Sequence, residues 1–207
     1  MLNYLADFFL FFSHINVMIC ILLFYLIGVS RIFFLQSLCL TLLDMMINVA
    51  LKGTFKLPLL TDGGFAFPSG HMQITTVFYG WLALYVPSLV LRCLMLVVCI
   101  GQGMGLIHYH YHNLMDVIGG FIVGVLLIVS YRGILSVFKR HTPWILILIS
   151  TGCMLYNMVI YQNGIPMHAK YAYELLLGVL LCERILSKNG KNTHDWEPIN
   201  VLKVTFL

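Results

Sequence analysis

Residues Leu5–Val29 read LADFFLFFSHINVMICILLFYLIGV, a mostly apolar run. A helix needs roughly 20 mostly apolar residues to cross a bilayer, so this stretch is long enough on its own. It is too long for a signal-peptide core and has no basic leader, so it reads as a retained membrane helix. Working outward, comparable stretches follow at Ile32–Leu51, Met72–Leu89, Cys93–Ile107, Val117–Ser130, Trp144–Tyr161 and Tyr171–Ile185. Three of them, starting at Cys93, Val117 and Tyr171, are short and are expected to borrow flanking residues. The expected fold is all-α: a polytopic transmembrane helical bundle of about six to seven spans.

Composition agrees. Of the 207 residues, 60% are hydrophobic and 10% are charged, against about 25% charged in soluble domains. Soluble, disordered and nucleic-acid-binding classes are poor fits. Pro58, Pro68, Pro87, Pro143, Pro166 and Pro198 fall between spans or at their ends, where a missing N–H costs least. Cys20, Cys39, Cys93, Cys99, Cys153 and Cys182 all lie in apolar stretches without a CxxC, so they read as small core hydrophobes and not as disulfides or zinc ligands.

The domain reading is one hydrophobic body over residues 1–187 and a short polar tail over 188–207. The net charge of +4 is informative through its placement. If residues 53–71 lie outside, then Arg31, Arg92, Arg132, Lys139, Arg140, Arg184, Lys188, Lys191 and Lys203 fall inside, nine of the twelve basic residues. The positive-inside rule expects this bias. The tail is then cytoplasmic, and Arg132, Lys139 and Arg140 anchor the inner side.

Two polar segments interrupt the apolar pattern, one at residues 52–71 and one at His108–Asp116, HYHYHNLMD. Two spans separate them, so both are expected at the same membrane face. In Phe67-Pro68-Ser69-Gly70-His71, Gly70 permits close backbone approach to a ligand and Ser69 offers a hydroxyl. The following helix offers free N–H groups to an anion, and His71 can donate a proton near neutral pH. The plain alternative is an ordinary N-cap at Ser69. His112 and Asp116 stand four residues apart at a helix entrance, where a carboxylate can orient an imidazole and leave its other nitrogen free for attack. Asp44, Asn48 and Lys52 form one stripe, with Asp44 read as orienting the stripe or as satisfied by Asn48 or a neighbouring helix. Gly120-x3-Gly124 reads as close helix packing within the bundle.

These residues resemble the type 2 phosphatidic acid phosphatase superfamily of membrane lipid phosphatases. Its signatures are Lys-x6-Arg-Pro, Pro-Ser-Gly-His and Ser-Arg-x5-His-x3-Asp. Lys52 begins the first, Pro68-Ser69-Gly70-His71 matches the second, and His112-x3-Asp116 ends the third. The resemblance implies His112 as nucleophile, Asp116 as its orienting partner and His71 as acid and base. Lys52, Ser69 and Gly70 would bind phosphate, and no metal or cofactor would be needed. The implied substrate is a membrane lipid phosphate, such as phosphatidate, phosphatidylglycerol phosphate, a polyprenyl diphosphate or a lipid-A-type phosphate. The implied location is an integral membrane protein with its site on the outer, periplasmic or exoplasmic, face.

The chain departs from the family at both arginines, whose places are taken by Leu59 and Leu106. Lys56, His108 and His110 are auxiliary candidates, none of them a bidentate fork. Weaker cationic clamping suits a phosphodiester, with less charge than a terminal phosphate. Head-group transfer of the kind seen in the sphingomyelin synthase branch, with its Ser-Gly-His and His-x3-Asp-Val, therefore competes with phosphatase action. Two further alternatives are a non-catalytic member with a degraded site, and a zinc site of His108, His110 and His112 on an extended strand. His108–Tyr111 also reads as an interfacial belt of aromatic and polar residues.

Overall fold

A computed structural model describes residues 2–28, 30–59, 64–188 and 196. Among these, eight α-helices follow one another: α1 Leu2–Phe11, α2 Ile15–Gly28, α3 Arg31–Phe55, α4 Gly70–Tyr85, α5 Leu89–His108, α6 Leu114–Phe138, α7 Thr142–Ile160 and α8 Met167–Lys188. The described residues contain no strand, only an isolated bridge between Pro58 and Phe65. The seven apolar stretches map onto this series in order, with the first divided between α1 and α2. Among the described residues, three helical stretches are long and apolar enough to cross a membrane, or four if α1 and α2 count as one bent span.

Local signals account for the boundaries. Ser30 and Ser88 accept N-cap hydrogen bonds from Phe33 and Leu91, and Pro143 sits in the first turn of α7, where its missing N–H has no helical partner anyway. Before α6, Asn113 and Asp116 form a reciprocal capping box.

Leu114–Ile160 is a 47-residue, almost unbroken helical run, about 70 Å at 1.5 Å per residue. That is more than twice the thickness of a hydrocarbon core, and tertiary contacts show that it doubles back. Tyr131 in α6 donates to Gln36 O near the start of α3 at 3.1 Å. In α7, Asn157 donates to Met46 O at 3.3 Å, and Tyr161, just beyond it, to Val49 O at 2.9 Å. So α6 and α7 run in opposite directions, turning at the 3₁₀ segment Lys139–His141.

α3 and α4 form the centre. α5 and α6 pack on α4, while α2, α7 and α8 pack on α3, and α1 lies along α5. The core joins Leu40, Met46, Val77, Phe78, Trp81, Leu82, Tyr131, Leu135, Leu176 and Leu180. Outward-facing Leu94, Leu96, Val97 and Ile100 on α5, with Leu126 and Val129 on α6, are exposed, as lipid-facing positions should be. All six cysteines are free. Of the polar tail, only Lys188 and Trp196 are described, and Trp196 is buried in the main core. The remainder of the tail lies outside the described residues.

The glycines of α6 set its approach to α4. A Cβ on Gly120 would stand 2.6 Å from Ser69 O, and one on Gly124 would stand 2.8 Å from Thr76 Cβ. The Gly120-x3-Gly124 spacing is therefore a packing seam within the bundle.

The first apolar stretch holds the largest departure from the single helix expected of it. It breaks at Phe12–His14, and its two halves meet at 48°. Tyr79 lies nine residues into α4, about 13 Å along its axis, and its hydroxyl donates to Phe12 O at 2.9 Å. The break thus lies at depth, where freed backbone groups need internal partners.

Candidate active site

One end of the bundle gathers the C-terminal end of α3, the N-termini of α4 and α6, and the start of α8. The two polar segments meet there directly: Ser69 N–H donates to Asp116 O at 3.0 Å. The expectation that an even number of crossings brings them together is met in the fold.

His112 precedes α6, and its Nδ1 lies 3.5 Å from Asp116 Oδ2, with both side chains buried. That separation is an ion-pair distance and long for a hydrogen bond, and Nδ1 has no hydrogen-bond partner. The same Asp116 oxygen accepts from Asn113 N–H at 3.1 Å. Asp116 therefore has two tasks, capping α6 and facing the imidazole. Because Nδ1 faces the carboxylate, Nε2 is the nitrogen left for a substrate. Lys52 acts electrostatically on both His112 and Asp116, and His71 lies within reach of the charges of His112, Lys52 and His14.

Ser69 occupies the N-cap position of α4, yet its hydroxyl makes no capping bond. It is buried, and its Oγ has no partner. An unpartnered hydroxyl beside free helix N–H groups suits an anion. Gly70 lies against Asn48, whose Oδ1 would be 2.9 Å from an added Cβ.

A cavity of about 790 Å³ is lined by Lys52, Gly70, His71, Asp44, Asn48, His14 and His168 among others, while Ser69, His112 and Asp116 lie behind its lining, Ser69 next to Gly70 and His112 next to Tyr111 in the chain. Asp7, Ser13, His14 and His168 line it and were not singled out from the sequence. The Ser13-His14 pair, interrupting an apolar run, was the available signal for two of them.

The auxiliary candidates do not enter the cavity. Lys56 is an exposed C-cap of α3 in the left-handed region. His108 Nε2 pairs with Asn3 Oδ1 at 2.8 Å, and His110 is an exposed turn residue with φ 56°. The extended strand required for a zinc site at 108–112 is instead the end of α5 and a turn, and among the described residues no three His, Cys, Asp or Glu are grouped to hold a metal. Of the two missing-arginine positions, Leu106 lines the cavity and Leu59 lies in the loop before α4. Among the described residues that line the cavity, Lys52 is the one lysine or arginine.

Residues 50–142 match the PAP2 superfamily. That segment is just under half of the chain, and over it the sequence is similar to the PAP2 superfamily. The segment contains Lys52, Ser69, Gly70, His71, His112 and Asp116, and the match supports a lipid enzyme of the phosphatase or phosphotransferase type in a membrane. No curated protein and no solved structure matches the chain. The PAP2 segment leaves out α1, the break after it, most of α3 and α8, which supply Asp7, His14, Asp44 and His168 to the cavity.

Burial, then the charge of Lys52, lowers the pKa of His112 below its usual 6.5, while Asp116 opposes the shift. A nucleophilic imidazole must be neutral. The acidic limb of kcat/KM should therefore fall below pH 6.5. Removing the Lys52 charge in Lys52→Met relieves one lowering influence and should move that limb upward. A pH–rate series on both proteins measures this, and a downward shift in the variant would show that Lys52 does not act on His112.

Proposed function

We propose that the chain is a membrane-embedded lipid phosphoryl-transfer enzyme acting through a phosphohistidine. The observation that carries this reading is the junction of the two polar segments, the Ser69–Asp116 backbone bond with His112 facing Asp116 beside Lys52 and His71.

His112 carries its proton on Nδ1, facing Asp116, and Nε2 attacks phosphorus. The P–O ester bond breaks, and His71 gives its proton to the departing alkoxide. Water or an acceptor alcohol then attacks the phosphohistidine. His71 takes the incoming proton, the P–N bond breaks, and His112 is restored. Lys52, the Ser69 hydroxyl and the Gly70–His71 N–H groups stabilise charge on the equatorial oxygens. The scheme uses no metal ion.

A phosphodiester substrate is favoured over a monoester by one specific observation: Leu106 lines the cavity where the family carries an arginine, leaving Lys52 as the one lysine or arginine among the described residues that line it. A monoanionic diester needs less countercharge than a phosphate dianion. The opposite end of the bundle carries Arg31, Arg92, Arg132, Lys139, Arg140 and Arg184. That charge asymmetry supports an outward-facing site.

The test is turnover of lipid monophosphates, diphosphates and phosphodiesters by purified protein in chelator. Loss of activity on chelation would exclude the metal-free scheme, and turnover of monoesters but not diesters would exclude the diester preference. With intact cells, an impermeant short-chain substrate should be consumed from outside. Turnover only after permeabilisation would reverse the orientation.

A further inference from the structure

Beneath the phosphate-binding level, the cavity reaches a second polar group. Asp44 lies on α3 two helical turns from Lys52, about 12 Å along the axis, and one turn, about 6 Å, below Asn48. Asn48 is the residue that abuts Gly70. Asp44 lines the cavity yet is only 1% exposed.

Its two oxygens differ. Oδ1 accepts from Gln73 Nε2 at 2.7 Å, and Gln73 Oε1 in turn accepts from Asn48 Nδ2 at 2.9 Å. This chain fixes the carboxyl group across α3 and α4. Oδ2 is buried without a hydrogen-bond partner. Among the described residues, no cationic side chain forms an ion pair with Asp44. A carboxyl group held in a membrane bundle with one oxygen unused is costly and marks a ligand path.

We propose that Asp44 forms the floor of a head-group subsite for an ammonium group, so that the preferred substrate is a zwitterionic phosphodiester whose phosphate lies at Lys52 and the α4 N-terminus and whose amine pairs with Asp44 Oδ2. The proposal rests on the diester reading above. Charge complementarity selects the ammonium. A hydroxyl would fill the empty hydrogen-bond position, but an ammonium also neutralises the carboxylate. The spacing fits as well. An amine two carbons beyond the ester oxygen lies within about one helical turn of phosphorus, which is the drop from Asn48 to Asp44.

Binding tests this without requiring turnover. Calorimetric titration of the purified full chain with glycerophosphoethanolamine and with glycerophosphoglycerol compares an ammonium with a hydroxyl on otherwise similar diesters. The wild-type protein should bind the first at least ten-fold more tightly. Asp44→Asn keeps an oxygen for Gln73 and should erase that preference while leaving glycerophosphoglycerol within about two-fold. Equal wild-type affinity for the two ligands overturns the proposal without reference to any variant, as does a preference that survives in Asp44→Asn. Binding of neither diester also overturns it. Failure of catalysis by His112 would show in turnover, leaving these binding results independent.

Discussion

Replacing His112 with asparagine is expected to lower kcat by about 10⁴-fold or more, the scale seen when a nucleophile or its base is removed from a catalytic set. Asparagine is close to the ring in size and keeps a polar group near Asp116. It has no basic nitrogen that can form a bond to phosphorus. The substitution also leaves the Asn113–Asp116 capping box intact, because both bonds of that box run between those two residues. Folding should therefore survive, and the loss should appear in kcat with little change in thermal stability. Phosphate or head-group release, measured beside a melting curve, separates the two effects. A variant that melts normally and turns over at the wild-type rate would remove His112 from the chemistry.

The second large effect is expected from a single methyl group. In Gly120→Ala the new Cβ would meet Ser69 O, Met72 Cβ and Gln73 N at 2.6, 3.1 and 3.2 Å. Two of those atoms are backbone, so neither can swing aside. Alanine normally stabilises a helix interior by roughly 1 kcal/mol relative to glycine. Here overpacking of about 1–3 kcal/mol should outweigh that gain. Gly133, on the same helix, provides the control, because a Cβ there meets nothing within 4 Å. Gly133→Ala should hold or raise the melting temperature while Gly120→Ala lowers it. The Gly120 contact adjoins the Ser69–Asp116 backbone bond. The variant should therefore also lose turnover, as Ser69 and the start of α4 are pushed from His112. Equal effects at the two glycines would mean that α6 does not approach α4 as closely as described.

Much of this arrangement was legible in the residues themselves. Each apolar stretch became helix because its length and composition leave backbone groups no other partners in a bilayer. The meeting of Ser69 with Asp116 followed from counting crossings, since two antiparallel spans return the chain to the face it left. The break at Ser13-His14 was harder to read. Hydropathy counts residues along a line, and two polar residues in an apolar run do not lower the average enough to divide it. Only the packing of α1 along α5, with Tyr79 satisfying Phe12 O, supplies the reason for a break at that depth. The same limit hid His168 and the role of Gln73. Each is a single polar residue whose partners lie on other helices. Asp44 was read as satisfied by Asn48 or a neighbouring helix, and its partner proves to be Gln73 on the neighbouring helix α4. The hydroxyl of Ser69 shows the opposite case. Its sequence position is an ordinary N-cap, and the structure leaves the oxygen without a capping bond.

The covalent intermediate is the central claim, and a rapid-quench mass measurement tests it most directly. Protein mixed with a turned-over lipid substrate, quenched under alkaline conditions and digested, should yield the His112 peptide with an added phosphoryl group from a monoester, or with the phosphoryl group still esterified to its retained substituent from a diester, in either case stable to base and lost in acid. The adduct should be absent from His112→Asn. Full turnover with no adduct on His112 at any quench time, or an adduct of the same kind on another residue in the active protein, would contradict the account.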